Sequence, residues 1–166
     1  MARDVRIAQS FRATPLVIRS ALTDEAFLTR RAELSGGQQV EVHVTTDAGG
    51  RTTTIVKRRL PAEVPAYARG LVSGAIELTE EQVWEPVGEA GCAATFEARF
   101  SAPMSATGQI ELRPDAEHGT RLSNDITLRA GIPLIGGKLE ALVAEQTERY
   151  LAFTKELLDE WLENPS

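Results

Sequence analysis

The chain has 166 residues, 42% of them hydrophobic, which suffices for one domain over residues 1–166 with its own core. The net charge of −6 argues against nucleic acid and anionic membranes as partners, because both select basic surfaces. One cysteine excludes an internal disulfide and favours a reducing compartment. Because no signal peptide and no run of about 18 apolar residues is evident, we expect a cytoplasmic protein without stable membrane insertion.

The first part of the chain predicts one strand followed by two short helices. Apolar and polar residues alternate from Val5 to Arg12, which indicates a half-buried strand. Thr14-Pro15 is typical of a helix start, because proline is preorganised for a first helical turn. Thr23 or Asp24 caps a second helix, which ends near Leu34.

From Gln39 onward the period of the hydrophobic pattern changes to two, which predicts antiparallel strands joined by turns. The connection over residues 61–74 is the longest irregular one and a candidate lid or rim. The six predicted strands cover residues 39–46, 52–60, 76–85, 92–100, 107–113 and 120–129.

A long helix is predicted at the end of the chain, from about Leu134 to Leu162. Its apolar residues recur at steps of three and four, and the opposite side is charged. Such a helix is roughly 40 Å long and needs a broad apolar surface to cover it. The sequence therefore predicts an antiparallel sheet with the final helix on one face. Small inward residues (Ala94, Ala98 and Gly108) favour a hollow between them over a solid core.

The order of elements resembles the α+β helix-grip fold of the START and Bet v 1-like (SRPBCC) superfamily, from Val5 to Leu162. The motif Gly-Ile-Pro-Leu-Ile-Gly-Gly-Lys-Leu-Glu at 131–140, with Arg-Arg-Leu-Pro at 58–61 and Trp84, resembles an uncharacterised START-like family of actinomycetes. The resemblance implies about seven strands wrapped around the long C-terminal helix and a hydrophobic ligand cavity. It transfers no catalytic residues, because that family has no assigned reaction.

Three polar residues share strand parity with apolar neighbours and are therefore predicted to face inward: Arg58, Asn124 and Gln9. A buried polar group needs a partner, and we expect Arg58 to anchor a carboxylate or another oxyanion of a ligand. Two alternatives are open: a bulge that turns Arg58 outward, or a glutamate on the final helix that pairs with it. The other predicted ligand-binding residues are apolar or aromatic, with Tyr67 and Trp84 near the mouth: Val56, Trp84, Phe96, Ile110, Leu142, Tyr150 and Tyr67. Ordinary packing in the core is the alternative for the aromatic ones.

No residue pattern predicts a metal, a cofactor or a catalytic group. His43 and His118 are far apart in the chain, and no ligand spacing connects them. Cys92 lies on an apolar strand face, where an inert core thiol is the expected state. Gly136-Gly137 lacks the context of a nucleotide loop, and close backbone approach is the simpler explanation.

These observations favour a binding protein for a small hydrophobic or amphipathic molecule of the lipid, polyketide or aromatic type. One alternative is a cyclase- or dehydratase-like enzyme in the same cavity, which needs an inward acid or base. Another is a protein-interaction module with a filled core. A cavity of roughly 300 Å³ or more would favour a ligand over that second alternative. The sequence does not predict the oligomeric state.

Overall fold

The computed structural model describes residues 2–61, 65–70, 74–116 and 119–164. Within those ranges the chain forms seven strands, two short helices and one long helix, with a 3₁₀ turn at Ala66–Ala68. The predicted helix-grip architecture is therefore confirmed. The elements are β1 (Ala2–Phe11), α1 (Pro15–Leu22), α2 (Glu25–Leu34), β2 (Gln38–Thr46), β3 (Thr52–Leu60), β4 (Ile76–Trp84), β5 (Cys92–Phe100), β6 (Met104–Asp115), β7 (Gly119–Ala130) and α3 (Gly136–Glu163).

The seven strands form one antiparallel sheet in the order β1-β7-β6-β5-β4-β3-β2. The first strand pairs with the last, so β1 and β2 are the two edges. Side chains alternate between the two faces along each strand, and the inward face carries the core. In β7 this alternation buries Leu122, Asn124, Ile126 and Leu128, as their shared parity predicts. No helix in the described ranges is long and apolar enough to cross a membrane.

The two short helices begin at the residues that the sequence predicts. The hydroxyl of Thr14 accepts a hydrogen bond from the backbone of Val17, and Pro15 lies in the first turn of α1. The carboxylate of Asp24 accepts from the backbone N–H of Phe27 at 3.0 Å and so caps α2. Apolar residues of α2 pack into the core, with Phe27 and Leu28 almost completely buried.

The long helix begins two residues later than predicted, at Gly136. Leu134 has a positive φ of 72°, which is incompatible with a right-handed α-helix. A Cβ atom on Gly136 would lie 2.9 Å from the carbonyl oxygen of Ala130, so this glycine permits close approach of the helix to β7. The buried carboxylate of Glu140 accepts a hydrogen bond from the backbone N–H of Ala130 at 2.9 Å. The start of α3 is therefore anchored to the end of the sheet.

The apolar core is divided rather than continuous. One cluster surrounds Trp84 and Phe27 near the C-terminal end of α3, and another surrounds Val5 and Leu128. A third, smaller cluster includes Leu139 near the start of α3. On α3 the fully buried residues stop at Ala144 and resume at Thr154, so the middle of the helix spans a region that the sheet does not fill.

Small inward residues do not all create this space, contrary to the expectation for Ala94 and Gly108. Ala98 lines the cavity, whereas Ala94 belongs to the cluster around Trp84. A Cβ atom on Gly108 would lie only 2.2 Å from the carbonyl oxygen of Asp125 in β7. Gly108 is therefore small because two strand backbones approach closely at that point.

Candidate functional site

A cavity of about 440 Å³ lies between the inward face of the sheet and the middle of α3. Side chains from β1, from the strands β3 to β7 and from all three helices line it. Most of this lining is apolar, with aromatic rings from several strands and from α3. The apolar lining residues include Phe11, Leu78, Phe96, Phe100, Ile110, Leu122, Ile126, Leu128 and Phe153.

The wall formed by β3 and β4 carries a buried ion pair. Nη2 of Arg58 donates to Oε1 of Glu80 at 2.9 Å, and the two side chains are only 5% and 8% exposed. Nη1 of Arg58 also donates to the hydroxyl of Tyr150 on α3 at 3.3 Å. Arg58 thus lies inward, and its carboxylate partner comes from the neighbouring strand and not from the final helix.

The charge of Arg58 is maintained by its neighbours. Burial by itself lowers the pKa of the guanidinium, but the Glu80 carboxylate and Tyr150 more than offset this effect, so the pKa lies above its ordinary value. Arg58 is therefore a permanent cation in the cavity wall.

A second arginine, Arg31 of α2, also lines the cavity and is only 6% exposed. Its guanidinium carbon lies 5.4 Å from the centre of the Tyr150 ring and 5.9 Å from that of Phe27. Its Nε has no hydrogen-bond partner, and no carboxylate of the described residues lies within 4.0 Å. Arg31 is not among the residues predicted from the sequence to bind a ligand, although its spacing of four from Phe27 and three from Leu28 indicates the same helix face.

Several further polar groups complete the lining. Nε2 of Gln9 donates to the carbonyl oxygen of Leu151 at 3.1 Å, which connects β1 to α3 across the cavity. Asn124 is buried and lines the cavity, as does Gln82, which accepts a hydrogen bond from Nε1 of Trp84 at 3.0 Å. The Trp84 N–H is therefore satisfied by the protein. Glu80 and Gln82 are likewise absent from the residues predicted from the sequence, although both share the strand parity of Trp84.

The structure brings seven of the ten predicted ligand-binding residues to the cavity and places three elsewhere. The seven are Gln9, Arg58, Trp84, Phe96, Ile110, Asn124 and Tyr150. Val56 lies inward but packs in the core cluster around Phe27, and Leu142 packs near the start of α3. Tyr67 on the 3₁₀ turn is 41% exposed, with Nζ of Lys138 at 5.8 Å from its ring centre. Residues 62–64 and 71–73 of the predicted lid lie outside the described residues.

Three residues that line the cavity are also exposed to solvent: Leu34 at the end of α2, and Gln146 and Arg149 on α3. They mark the mouth of the cavity, between these two helices. Arg149 is paired with Glu145 through a 2.7 Å contact, so its charge is already compensated.

Groups of three or more possible metal ligands do not occur among the described residues. His43 is exposed on β2, and His118 lies outside the described residues. Cys92 is half-buried, and this burial raises the pKa of its thiol, an effect that nearby Arg19 partly opposes. A raised pKa keeps the thiol protonated, which disfavours a role as nucleophile.

Comparison with known sequences connects the chain to proteins without an assigned activity. A family described as Protein of unknown function (DUF2505) matches residues 6–162. Uncharacterised proteins of Mycobacterium bovis and Mycobacterium tuberculosis are each 29% identical over 103 residues, or 61% of this chain. The match spans 59% of the length of these curated relatives.

Solved structures with the same fold cover nearly the whole chain. A protein of Thermus thermophilus has a TM-score of 0.65 and 20% identity, with 99% of both chains covered. Norcoclaurine synthase from Thalictrum flavum has a TM-score of 0.63 and 9% identity, covering 100% of this chain and 90% of the synthase. The Zhui aromatase/cyclase of a Streptomyces has a TM-score of 0.56 and 13% identity, covering 96% of this chain and 90% of the aromatase/cyclase. At such identities the likeness establishes the Bet v 1-like fold alone.

Proposed function

We propose that this chain, which belongs to the family described as Protein of unknown function (DUF2505), binds a small hydrophobic or amphipathic molecule between its sheet and α3. The observation that carries the proposal is the cavity of about 440 Å³, whose mostly apolar lining includes the buried ion pair of Arg58 and Glu80. Ligand sites in proteins typically have volumes of about 300–1,000 Å³ and this composition.

The cavity also argues against an interaction module with a filled core. Unfilled apolar space forfeits the dispersion contacts of its walls, and a bound molecule restores them. Norcoclaurine synthase of the same fold has been solved in complex with dopamine and hydroxybenzaldehyde, which are small aromatic molecules. That example supports a ligand of comparable kind for this cavity.

The proposal predicts that filling the cavity weakens the binding of a neutral apolar probe. Ala98 of β5 lines the cavity opposite Ala106, so Ala98→Phe places a ring in the cavity. We expect Ala98→Phe to weaken binding of N-phenyl-1-naphthylamine by about tenfold or more, which corresponds to at least about 1.4 kcal/mol. Fluorescence titration of the purified protein measures the Kd.

Ala93 provides the matched control, because it lies on the exposed face of the same strand. Ala93→Phe should bind the probe like the unsubstituted protein. Circular dichroism establishes that both variants fold. A folded Ala98→Phe variant with unchanged affinity, or an unsubstituted protein that does not bind the probe, would contradict the proposal.

A second candidate function is a reaction in the same cavity, and the inward carboxylate of Glu80 is the observation that favours it. Glu80 and the Tyr150 hydroxyl both contact Arg58, and this arrangement could exchange a proton with a bound molecule. The ion pair argues against a catalytic role for Glu80, because its carboxylate already accepts a hydrogen bond from Arg58.

The catalytic alternative is tested by incubating the protein with a small-molecule cell extract and measuring the extract by mass spectrometry. If the cavity catalyses a reaction, some small molecules should disappear with the unsubstituted protein but persist with Tyr150→Phe. Identical mass spectra for the two proteins would count against an enzyme.

A further inference from the structure

We infer that the ligand carries an anionic group, such as a carboxylate, and that Arg31 together with Arg58 holds it. This inference rests on the proposed function, because it concerns the same cavity. It adds a chemical class to the ligand and a residue, Arg31, that the sequence pattern of the strands does not reveal.

The charges around Tyr150 do not balance among the described residues. Two buried guanidinium groups, those of Arg31 and Arg58, contact this ring, and Glu80 supplies one negative charge. Glu140, the other buried carboxylate, instead accepts from the backbone of Ala130. The part of the chain that the structure describes therefore leaves one buried positive charge without a counterion. A buried uncompensated charge is costly, so a site of this kind is completed by an anion.

The hydrogen bonding of the two guanidinium groups is also incomplete among the described residues. Nε of Arg31 and Nε of Arg58 are both buried and have no acceptor among the described residues. A guanidinium has five N–H donors and no acceptor, so these groups need oxygen atoms from elsewhere. Water could accept hydrogen bonds here, but it would not neutralise the charge. A carboxylate provides both acceptors and charge, and it matches the planar fork of an arginine.

Aromatic rings hold both cations in position before any ligand arrives. The guanidinium carbon of Arg58 lies 5.0 Å from the Tyr150 ring centre, and Arg31 lies between the rings of Tyr150 and Phe27 at 5.4 and 5.9 Å. Contacts of this type stabilise a cation without neutralising it. Preorganised donors lose little entropy on binding, which favours affinity.

The position of Arg31 also orients the ligand. Arg31 lies one helical turn before Leu34, and Tyr150 follows Arg149, so the cationic cluster is close to the mouth. The wall around Ile126 and Leu128 is apolar. The anionic end of the ligand therefore lies toward the mouth, and its apolar part lies against the sheet.

Two fluorescent probes with the same aromatic skeleton test the inference. 1-Anilinonaphthalene-8-sulfonate carries an anionic group, whereas N-phenyl-1-naphthylamine is neutral and serves as the internal reference. We expect Arg31→Met to raise the ratio of the anionic probe's Kd to that of the neutral probe by about tenfold or more. Arg31→Lys should restore part of the difference, because it retains the charge but not the planar fork. Arg30→Met is the matched control on the exposed face of α2 and should leave the ratio unchanged.

Thermal unfolding without ligand separates a binding role from a structural one. Because Arg31 has no ion-pair partner among the described residues, Arg31→Met should unfold at the same temperature as the unsubstituted protein or a higher one. A lower unfolding temperature together with an unchanged Kd ratio would assign Arg31 a structural role and overturn the inference. If the neutral probe binds but the Kd ratio is the same with and without Arg31, the inference is overturned while the proposed function remains intact. If the unsubstituted protein binds neither probe, both are overturned.

Discussion

Replacing Glu80 with leucine is expected to lower the free energy of unfolding by roughly 3 kcal/mol. Glu80 and Arg58 form an ion pair in which both side chains are more than nine-tenths buried. The substitution leaves the guanidinium of Arg58 buried without its carboxylate, and the cost of removing that charge from water is no longer offset. Urea denaturation monitored by circular dichroism measures the change.

Two further variants establish whether the lost pairing is the cause. Glu97→Leu removes an exposed carboxylate that pairs with Arg99 at 3.0 Å, and it should change the free energy of unfolding by no more than about 0.5 kcal/mol. The double variant Arg58→Met/Glu80→Leu removes both charges and should recover most of the loss. A double variant as unstable as Glu80→Leu alone would show that packing, and not the unpaired charge, determines the effect.

A second large effect is expected from Gly108→Ala, which should destabilise the protein by about 3 kcal/mol or prevent folding. The added Cβ would lie 2.2 Å from the Asp125 carbonyl oxygen and 2.9 Å from Cα of Ile126. Both neighbours are backbone atoms of the paired strand, so they cannot move aside as a flexible side chain would. The pairing of β6 with β7 must shift to admit even one methyl group. Thermal and urea unfolding of the purified variant measure the loss.

Gly131→Ala is the matched control for this prediction. No heavy atom lies within 4 Å of a Cβ at Gly131, and its φ is not in the left-handed region. This variant should be as stable as the original protein or more stable by about 0.4–1 kcal/mol, because alanine restricts the unfolded chain. Equal stability of Gly108→Ala and Gly131→Ala would mean that the two strands are farther apart than the structure shows.

The order of elements could be predicted from the sequence because it depends on local periodicity. The change of period from two to about 3.6 marks where the strands end and α3 begins. The N-caps of α1 and α2 appear as the polar residues Thr14 and Asp24. Parity along β3 likewise places Arg58 on the inward face, where the structure has it. The partner of Arg58 was harder to predict, because it depends on the pairing of β3 with β4. Strand parity places Glu80 inward, but only the register brings it to Arg58.

Periodicity also does not tell which inward residues border empty space and which border other side chains. Val56 and Ile110 are both inward and belong to the same buried apolar cluster, but only Ile110 also lines the cavity. That difference depends on where the helices lie over the sheet, which is a tertiary property. The same limit applies to Gly108. In the sequence its small size suggests free space, but in the structure it reflects the close approach of two strand backbones.

The position of the mouth between α2 and α3 has a consequence for how a ligand exchanges with solvent. Side chains of the two helices meet at Phe27 with Trp161 and at Arg31 with Tyr150. The backbone hydrogen bonds of the sheet lie on the other side of the cavity. Widening the mouth therefore separates side chains but leaves every strand pairing intact. The barrier to ligand exchange is thus distinct from the barrier to unfolding, and the residence time of a ligand can change without a change in the stability of the fold.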